Sequence, residues 1–244
     1  MSSKSETGHA KNISNFETII GICTGYGPAY NPSNPNIAIS ELIILHTNSV
    51  NSNNLVKTTE ANFNNIEGQR MIVFQPLKSI ATRAFAALKG AQPPATVIAD
   101  AKTIYMKIQG KRVDNTIKEV TPGETIPRKI SVSQQSYDLK IDHFEKFIDV
   151  VAIEPLYDPN ENDIKVTALN TLKSAMRSSS INVKNAYVPY SNAIIARNHI
   201  LYDPETGLVA RAALVKEYVK SIFGANSPEY KLVRHIYFKR VVNV

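Results

Sequence analysis

Cysteine is nearly missing from this chain: Cys23 stands alone in 244 residues. No intrachain disulfide can form, and a multi-thiolate zinc cluster within one chain is excluded. A reducing compartment suits such a sequence, so a cytoplasmic location is the expectation. Long apolar runs are missing too. Met1 to Ser14 is polar, with no apolar core of the kind a secretory signal carries, and no later segment approaches 18 uninterrupted apolar residues. Neither a signal peptide nor a membrane span is expected.

The spacings that mark common catalytic and metal chemistry are lacking as well. No two of His9, His46, His143, His199 and His235 lie three to five residues apart, so no zinc-ligand or metalloprotease spacing exists. There is no Gly-x-Ser-x-Gly elbow, and Cys23 has no neighbouring base in sequence. The glycines of Gly21-Ile22-Cys23-Thr24-Gly25-Tyr26-Gly27 lead to no Gly-Lys-Ser/Thr ending. They read instead as a helix interrupted where another backbone packs closely. Asp158 to Asp163 resembles the start of a calcium loop, but Asp163 stands where an EF-hand needs glycine and Leu169 where it needs the bidentate glutamate. Helix capping is the preferred reading there. Together these absences predict a protein that is not an enzyme and that carries no metal or cofactor.

Charge of one sign is not concentrated. The net charge is +7, and the excess of basic over acidic side chains is four in residues 1–128 and three in residues 129–244. The densest basic run is C-terminal, where Lys231, Arg234, Lys239 and Arg240 are opposed only by Glu229. That run is read as the solvated face of a terminal helix or as a contact surface for an anionic partner such as nucleic acid.

What the sequence does contain is hydrophobic residues at 43%, enough for a large core, and an internal repeat. Asn15-Phe16-Glu17-Thr18-Ile19-Ile20 resembles His143-Phe144-Glu145-Lys146-Phe147-Ile148. Tyr30-Asn31-Pro32, followed by Ile37, Ile39, Leu42 and Leu45, matches Tyr157-Asp158-Pro159, followed by Ile164, Val166, Leu169 and Leu172. At the same offset of 127, Asn65 falls on Asn192 and Arg70 on Arg197, and later matches drift to an offset of 134.

Within each block the apolar residues recur at helical spacing. The first block predicts helices near 14–25, 36–50, 54–73, 76–89 and 94–108, with the Asn/Ser run from Asn48 to Asn54 as a polar loop. In the second block, Pro155 and Pro159 end one helix and a stripe from Ile164 to Met176 makes the next. Another runs from Val183 to Leu201, with Pro189 kinking it or marking its start. Gly224 caps a helix that begins at Leu208, and Ser227-Pro228 opens the last.

The expected fold is therefore all-α, with two tandem, sequence-related helical bundle units. A polar tail spans residues 1–13, the first unit 14–109, the second 131–244. The linker 110–130 carries a Thr121-Pro122-Gly123-Glu124 turn suited to a small β-hairpin. Asn65, Arg70, Asn192 and Arg197 are the paired polar positions, either structural or anion-binding. The functional expectation is a structural or scaffolding protein that self-associates as a homo-oligomer, in the manner of a filament or sheath subunit, with the N-terminal tail contributing to the contact. The alternative is a binding module for an anionic partner.

Overall fold

The computed structural model describes residues 8–111 and 135–241. Among these residues the secondary structure is helical throughout, in eight α-helices: α1 His9–Gly25, α2 Ile39–Phe74, α3 Leu77–Gly90, α4 Ala95–Gln109, α5 Tyr137–Ala152, α6 Val166–Tyr202, α7 Leu208–Phe223 and α8 Pro228–Arg234. The all-α expectation is met. The anticipated hairpin segment and the first seven residues of the tail lie outside the described residues, but the tail's end does not. Helix α1 starts at His9, five residues earlier than predicted, with Asn12 and Ile13 both buried.

The ends of α7 and α8 follow the sequence signals, and α5 takes a serine cap, at Ser136, that those signals did not single out. Ser136 and Ser227 cap α5 and α8 by accepting from the backbone N–H of Leu139 and Tyr230, at 3.2 and 3.0 Å. Pro228 occupies the first turn of α8, and Gly224 ends α7 at φ +90°, a region that disfavours a β-carbon. The Asp158–Asp163 stretch departs from the expected capping role. Asp163 forms a bidentate ion pair with Arg83 of α3, with Nη2 donating to Oδ1 at 3.0 Å and Nη1 to Oδ2.

The largest departures are the two long helices. Helix α2 passes without a break through the Asn/Ser run, for 36 residues, or about 54 Å at 1.5 Å per residue. The run stays helical because its hydroxyls find partners inside the helix. Ser49 Oγ donates to Leu45 O at 2.7 Å and Ser52 Oγ to Ser49 O at 2.9 Å, so both serines are buried at little polar cost. Helix α6 likewise runs for 37 residues, fusing two predicted helices and taking Pro189 into its interior. The glycines of α1 are corrected as well. A β-carbon built at Gly21 or Gly25 meets no atom within 4 Å, so no backbone packs against them. Gly27, at φ +55°, is the one of the three with a conformational reason, since it turns the chain out of α1.

Two compact units form, and their limits fall inside α2 and α6. One comprises Met1–Phe63 with Ala186–Val244, the other Asn64–Asn185. Each therefore combines the first helix and the start of the long helix of one sequence block with the end of the long helix and the last two helices of the other. The core of the first unit gathers Phe16, Ile19, Cys23 and Leu42 with Leu201, Leu208, Val215, Val219 and Val233. The core of the second gathers Leu77, Ala81, Leu88 and Ile108 with Phe144, Phe147, Ile148, Leu169 and Met176. Both contain a buried tyrosine at the turn before the long helix. Tyr30 Oη donates to Ile37 O at 2.7 Å, and Tyr157 Oη to Ile164 O at 2.8 Å.

Helix α8 is shorter than its sequence implies. It ends at Arg234, and His235–Val241 continues without helix, so Lys239 and Arg240 lie beyond the terminal helix on which they were expected. Side chains of the first unit take this segment's backbone groups. Asn12 Nδ2 donates to Lys239 O at 2.7 Å while its Oδ1 accepts from Lys239 N at 3.1 Å. Asn15 Nδ2 donates to Tyr237 O at 2.7 Å, and Lys216 Nζ to Ile236 O. Bonds to side chains replace those that further helical turns would supply.

Candidate functional site

The paired polar positions divide into two kinds. Asn65 and Asn192 are both exposed. Arg70 and Arg197 point inward and are held by different partners. The Arg70 guanidinium lies 3.8 Å from the Tyr137 ring centroid, and its Nη2 donates to Glu67 at 3.1 Å. Stacking and one ion pair account for most of the group, although its Nε is buried without a partner among the described residues. Arg197, 8% exposed, donates from Nε and Nη2 to Asn198 Oδ1 at 3.2 and 3.0 Å. Burial pulls its pKa down, opposed by the nearby Tyr202, Tyr190 and Glu60. Both arginines are thus engaged by neighbouring side chains.

The C-terminal cations are available to solvent. Lys231, Arg234, Lys239 and Arg240 are all exposed, and none is paired with a carboxylate among the described residues. Cys23, by contrast, is fully buried, and desolvation pushes its thiol up to about 12. A thiol in that state is a poor nucleophile.

A cleft of about 310 Å³ lies between α5 and the first part of α6, wholly within the second unit. Its α5 wall places Asp138, Asp142 and Glu145 at helical spacing on one face, and its α6 wall places Arg177, Ser180 and Lys184 the same way. Ion pairs join the two walls. Arg177 Nη2 approaches Glu145 Oε2 at 3.1 Å, and Lys184 Nζ approaches Asp138 Oδ2 at 3.5 Å. Asp142, between them in sequence, takes its cation from its own helix, through Lys146 Nζ at 2.9 Å. That hydrogen bond holds its carboxyl below the ordinary value, and the cleft therefore presents an ionised Asp142 at neutral pH. Opposite in order stands Ser180, 4% exposed, with a buried Oγ that has no hydrogen-bond partner among the described residues. Sequence reasoning missed this cleft because α5 and α6 were read as ordinary amphipathic helices. The acidic spacing on α5 was visible, but nothing in the sequence indicated that its face would meet Arg177 and Lys184.

His143, next to Asp142, is a further buried polar group with an atom that is unsatisfied among the described residues, its Nε2. Burial, and then the charge of Lys107, pull its pKa below the ordinary histidine value, which leaves a neutral imidazole in the core. Among the described residues no group of three or more His, Cys, Asp or Glu side chains is gathered as a metal ion would need, and no helix is long and apolar enough to cross a membrane. No family model matches the chain, and no curated protein or solved structure matches it.

Proposed function

We propose that the protein is a non-catalytic, cytoplasmic structural component that self-associates, built from a duplicated helical module. The observation that carries this reading is the exposure of large apolar side chains along the two long helices. Ile43 and Ile44, then Met71 and Ile72, stand 49 to 68% exposed on α2, and Tyr187, Val188 and Ile195 stand 53 to 64% exposed on α6. Full burial of an exposed apolar side chain contributes roughly 1.5 to 3 kcal/mol, and half-exposed ones forfeit about half of that each, so clusters of them mark surfaces meant to be covered. A second copy of the chain is the partner proposed.

The duplication is supported by the repeat itself and by its structural setting. Both blocks run helix, tyrosine turn, short 3-10 turn, long helix and two further helices, and the two buried tyrosines make the same bond seven residues ahead. The exposed apolar positions are not shared between the blocks. At the offset of 127, Ile43 and Ile44 correspond to Asn170 and Thr171, and Met71 and Ile72 to Asn198 and His199. The packing residues repeat while the surface does not, as expected if the surface was specialised after duplication. Surfaces that differ from one block to the other permit head-to-tail contacts, which build open polymers when they do not close.

Sedimentation of the Ile43→Lys/Ile44→Lys and Met71→Lys/Ile72→Lys variants tests this. Smaller species than the unmodified chain forms, with unchanged helical content, are expected. Identical sedimentation in both variants would remove the basis for the reading.

A second reading has its own observation, the four exposed C-terminal cations, none of them paired with a carboxylate among the described residues. They would suit an anionic partner such as nucleic acid, with affinity falling steeply with salt.

A further inference from the structure

The chain beyond α8 is held in place without being helical. Asn15 donates to Tyr237 O, Asn12 takes both backbone groups of Lys239, and Lys216 donates to Ile236 O. Ile236, Phe238 and Val241 are partly buried against the core of the first unit, whereas Tyr237, Lys239 and Arg240 are exposed. The alternation from residue 236 to 239 puts Tyr237 and Lys239 on one side, about 6.6 Å apart at 3.3 Å per residue. Tyr237 thus stands 76% exposed on a backbone that is pinned on either side of it. On α8, Lys231 and Arg234 lie three residues apart and share a face.

This exposure is not something the helical framework demands. In the first sequence block Ile104-Tyr105 matches Ile236-Tyr237, at an offset of 132. Tyr105 is partly buried and stacks on Phe85, with ring centroids 4.9 Å apart and planes 15° from parallel. Tyr237 has no ring neighbour among the described residues. At the same offset the buried Ile108 falls on Arg240, and Ala99 on Lys231. One block spends its tyrosine on packing, and the other presents it to solvent among cations.

We propose that α8 and the segment after it bind single-stranded nucleic acid, with Lys231, Arg234, Lys239 and Arg240 on phosphates and the Tyr237 ring stacked on a base. The proposal rests on the anionic-partner reading and names the partner. Cations alone fit any polyanion, and Tyr237 narrows the choice. A duplex offers phosphates but keeps its base faces within its own stack, whereas a single strand has open base faces on which an aromatic side chain can stack. A lipid surface fits less well, because an interfacial segment turns its apolar side outward and here Ile236, Phe238 and Val241 face the core. The pinned backbone also means that little ordering is left to do when a strand arrives.

The test is fluorescence anisotropy of the full-length protein with labelled oligothymidylate of about twelve nucleotides, compared with a duplex of the same length. Tighter binding of the single strand is expected, with log affinity falling against log salt at a slope of about −3 for four phosphate contacts. Tyr237→Ala should weaken single-strand binding at least about fivefold at every salt concentration without changing the slope, and Tyr237→Phe should retain it. The double variant Lys239→Gln/Arg240→Gln should make the slope shallower by about 1.4. All these positions are exposed, so unchanged helical content is expected throughout. Equal binding of single strand and duplex, with no effect of Tyr237→Ala, would overturn this proposal and leave the anionic-partner reading standing. No binding of either probe at about 0.05 M salt would overturn both. Binding to vesicles of phosphatidylserine and phosphatidylcholine, with none to the oligonucleotide, would overturn it in favour of a lipid surface.

Discussion

Replacing Tyr157 with phenylalanine removes one oxygen from a side chain that is 7% exposed and leaves the ring to fill the same space. The hydroxyl donates to Ile164 O at 2.8 Å, and Ile164 is itself 3% exposed, so the carbonyl is left with poor access to water. A typical net hydrogen bond contributes roughly 0.5 to 1.5 kcal/mol, and stranding the acceptor adds to that, so a loss of about 1 to 2 kcal/mol is expected. At a urea m-value of about 2 kcal/mol/M this lowers the midpoint by roughly 0.5 to 1 M in the helical circular-dichroism signal. Tyr30→Phe removes the matching bond to Ile37 in the other compact unit and should cost a similar amount, with the double variant close to additive. Burial pushes the Tyr157 hydroxyl up to about 12, above its unfolded value near 10. The folded chain therefore holds this proton over a range in which the unfolded chain releases it. Its contribution to stability is complete below pH 10 and is lost as pH rises from about 10 through 12. Tyr157→Phe should flatten that alkaline decline. A variant as stable as the parent at pH 7, or with an undiminished decline above pH 10, would refute the role assigned to this bond.

Two further perturbations follow from named contacts. Asn12→Ala removes both bonds to the Lys239 backbone and the one to Tyr202 Oη at 3.3 Å, and should release His235–Val241. Mass spectrometry should show at least about tenfold faster amide exchange there, a change of about 1.4 kcal/mol in local opening. Asp203 accepts from Thr206 N at 2.7 Å, Thr206 Oγ1 at 2.8 Å and Glu205 N at 3.0 Å, and these bonds hold its carboxyl down at about 2. A depressed carboxyl contributes stability that is present above its unfolded value near 4 and is lost as pH falls toward 2. Acid titration of Asp203→Asn should accordingly show a shallower loss of stability from pH 4 to 2 than the parent chain.

Much of this architecture is legible in the sequence, and the exceptions have physical causes. Helices α3 and α4 start and stop within a residue of the pattern because Pro76, Pro94 and Gly110 punctuate them. Ser227-Pro228 marks α8 for the same reason. The Asn/Ser run misleads because Ser and Asn favour turns in isolation, and nothing in composition reveals that Ser49 and Ser52 bond back into their own helix. Pro189 lies inside α6, one of the two places its sequence setting allowed, and its local cost is borne by a helix extending thirteen residues beyond it. Tyr30 and Tyr157, matched in sequence, make matching bonds, yet linear order hides that each compact unit takes helices from both blocks. The cleft shows the same limit. Asp138, Asp142 and Glu145 are visible as one face of α5, but their meeting with Ser180 depends on tertiary packing.

The central claim, self-association through the exposed faces of the long helices, is tested most directly by the molar mass of the unmodified chain in solution. Light scattering coupled to size exclusion, at tens of micromolar and 0.15 M salt, should return a mass that is a multiple of 27.0 kDa and rises with concentration. A constant 27.0 kDa across that range would contradict the structural reading and leave the anionic-partner reading in its place.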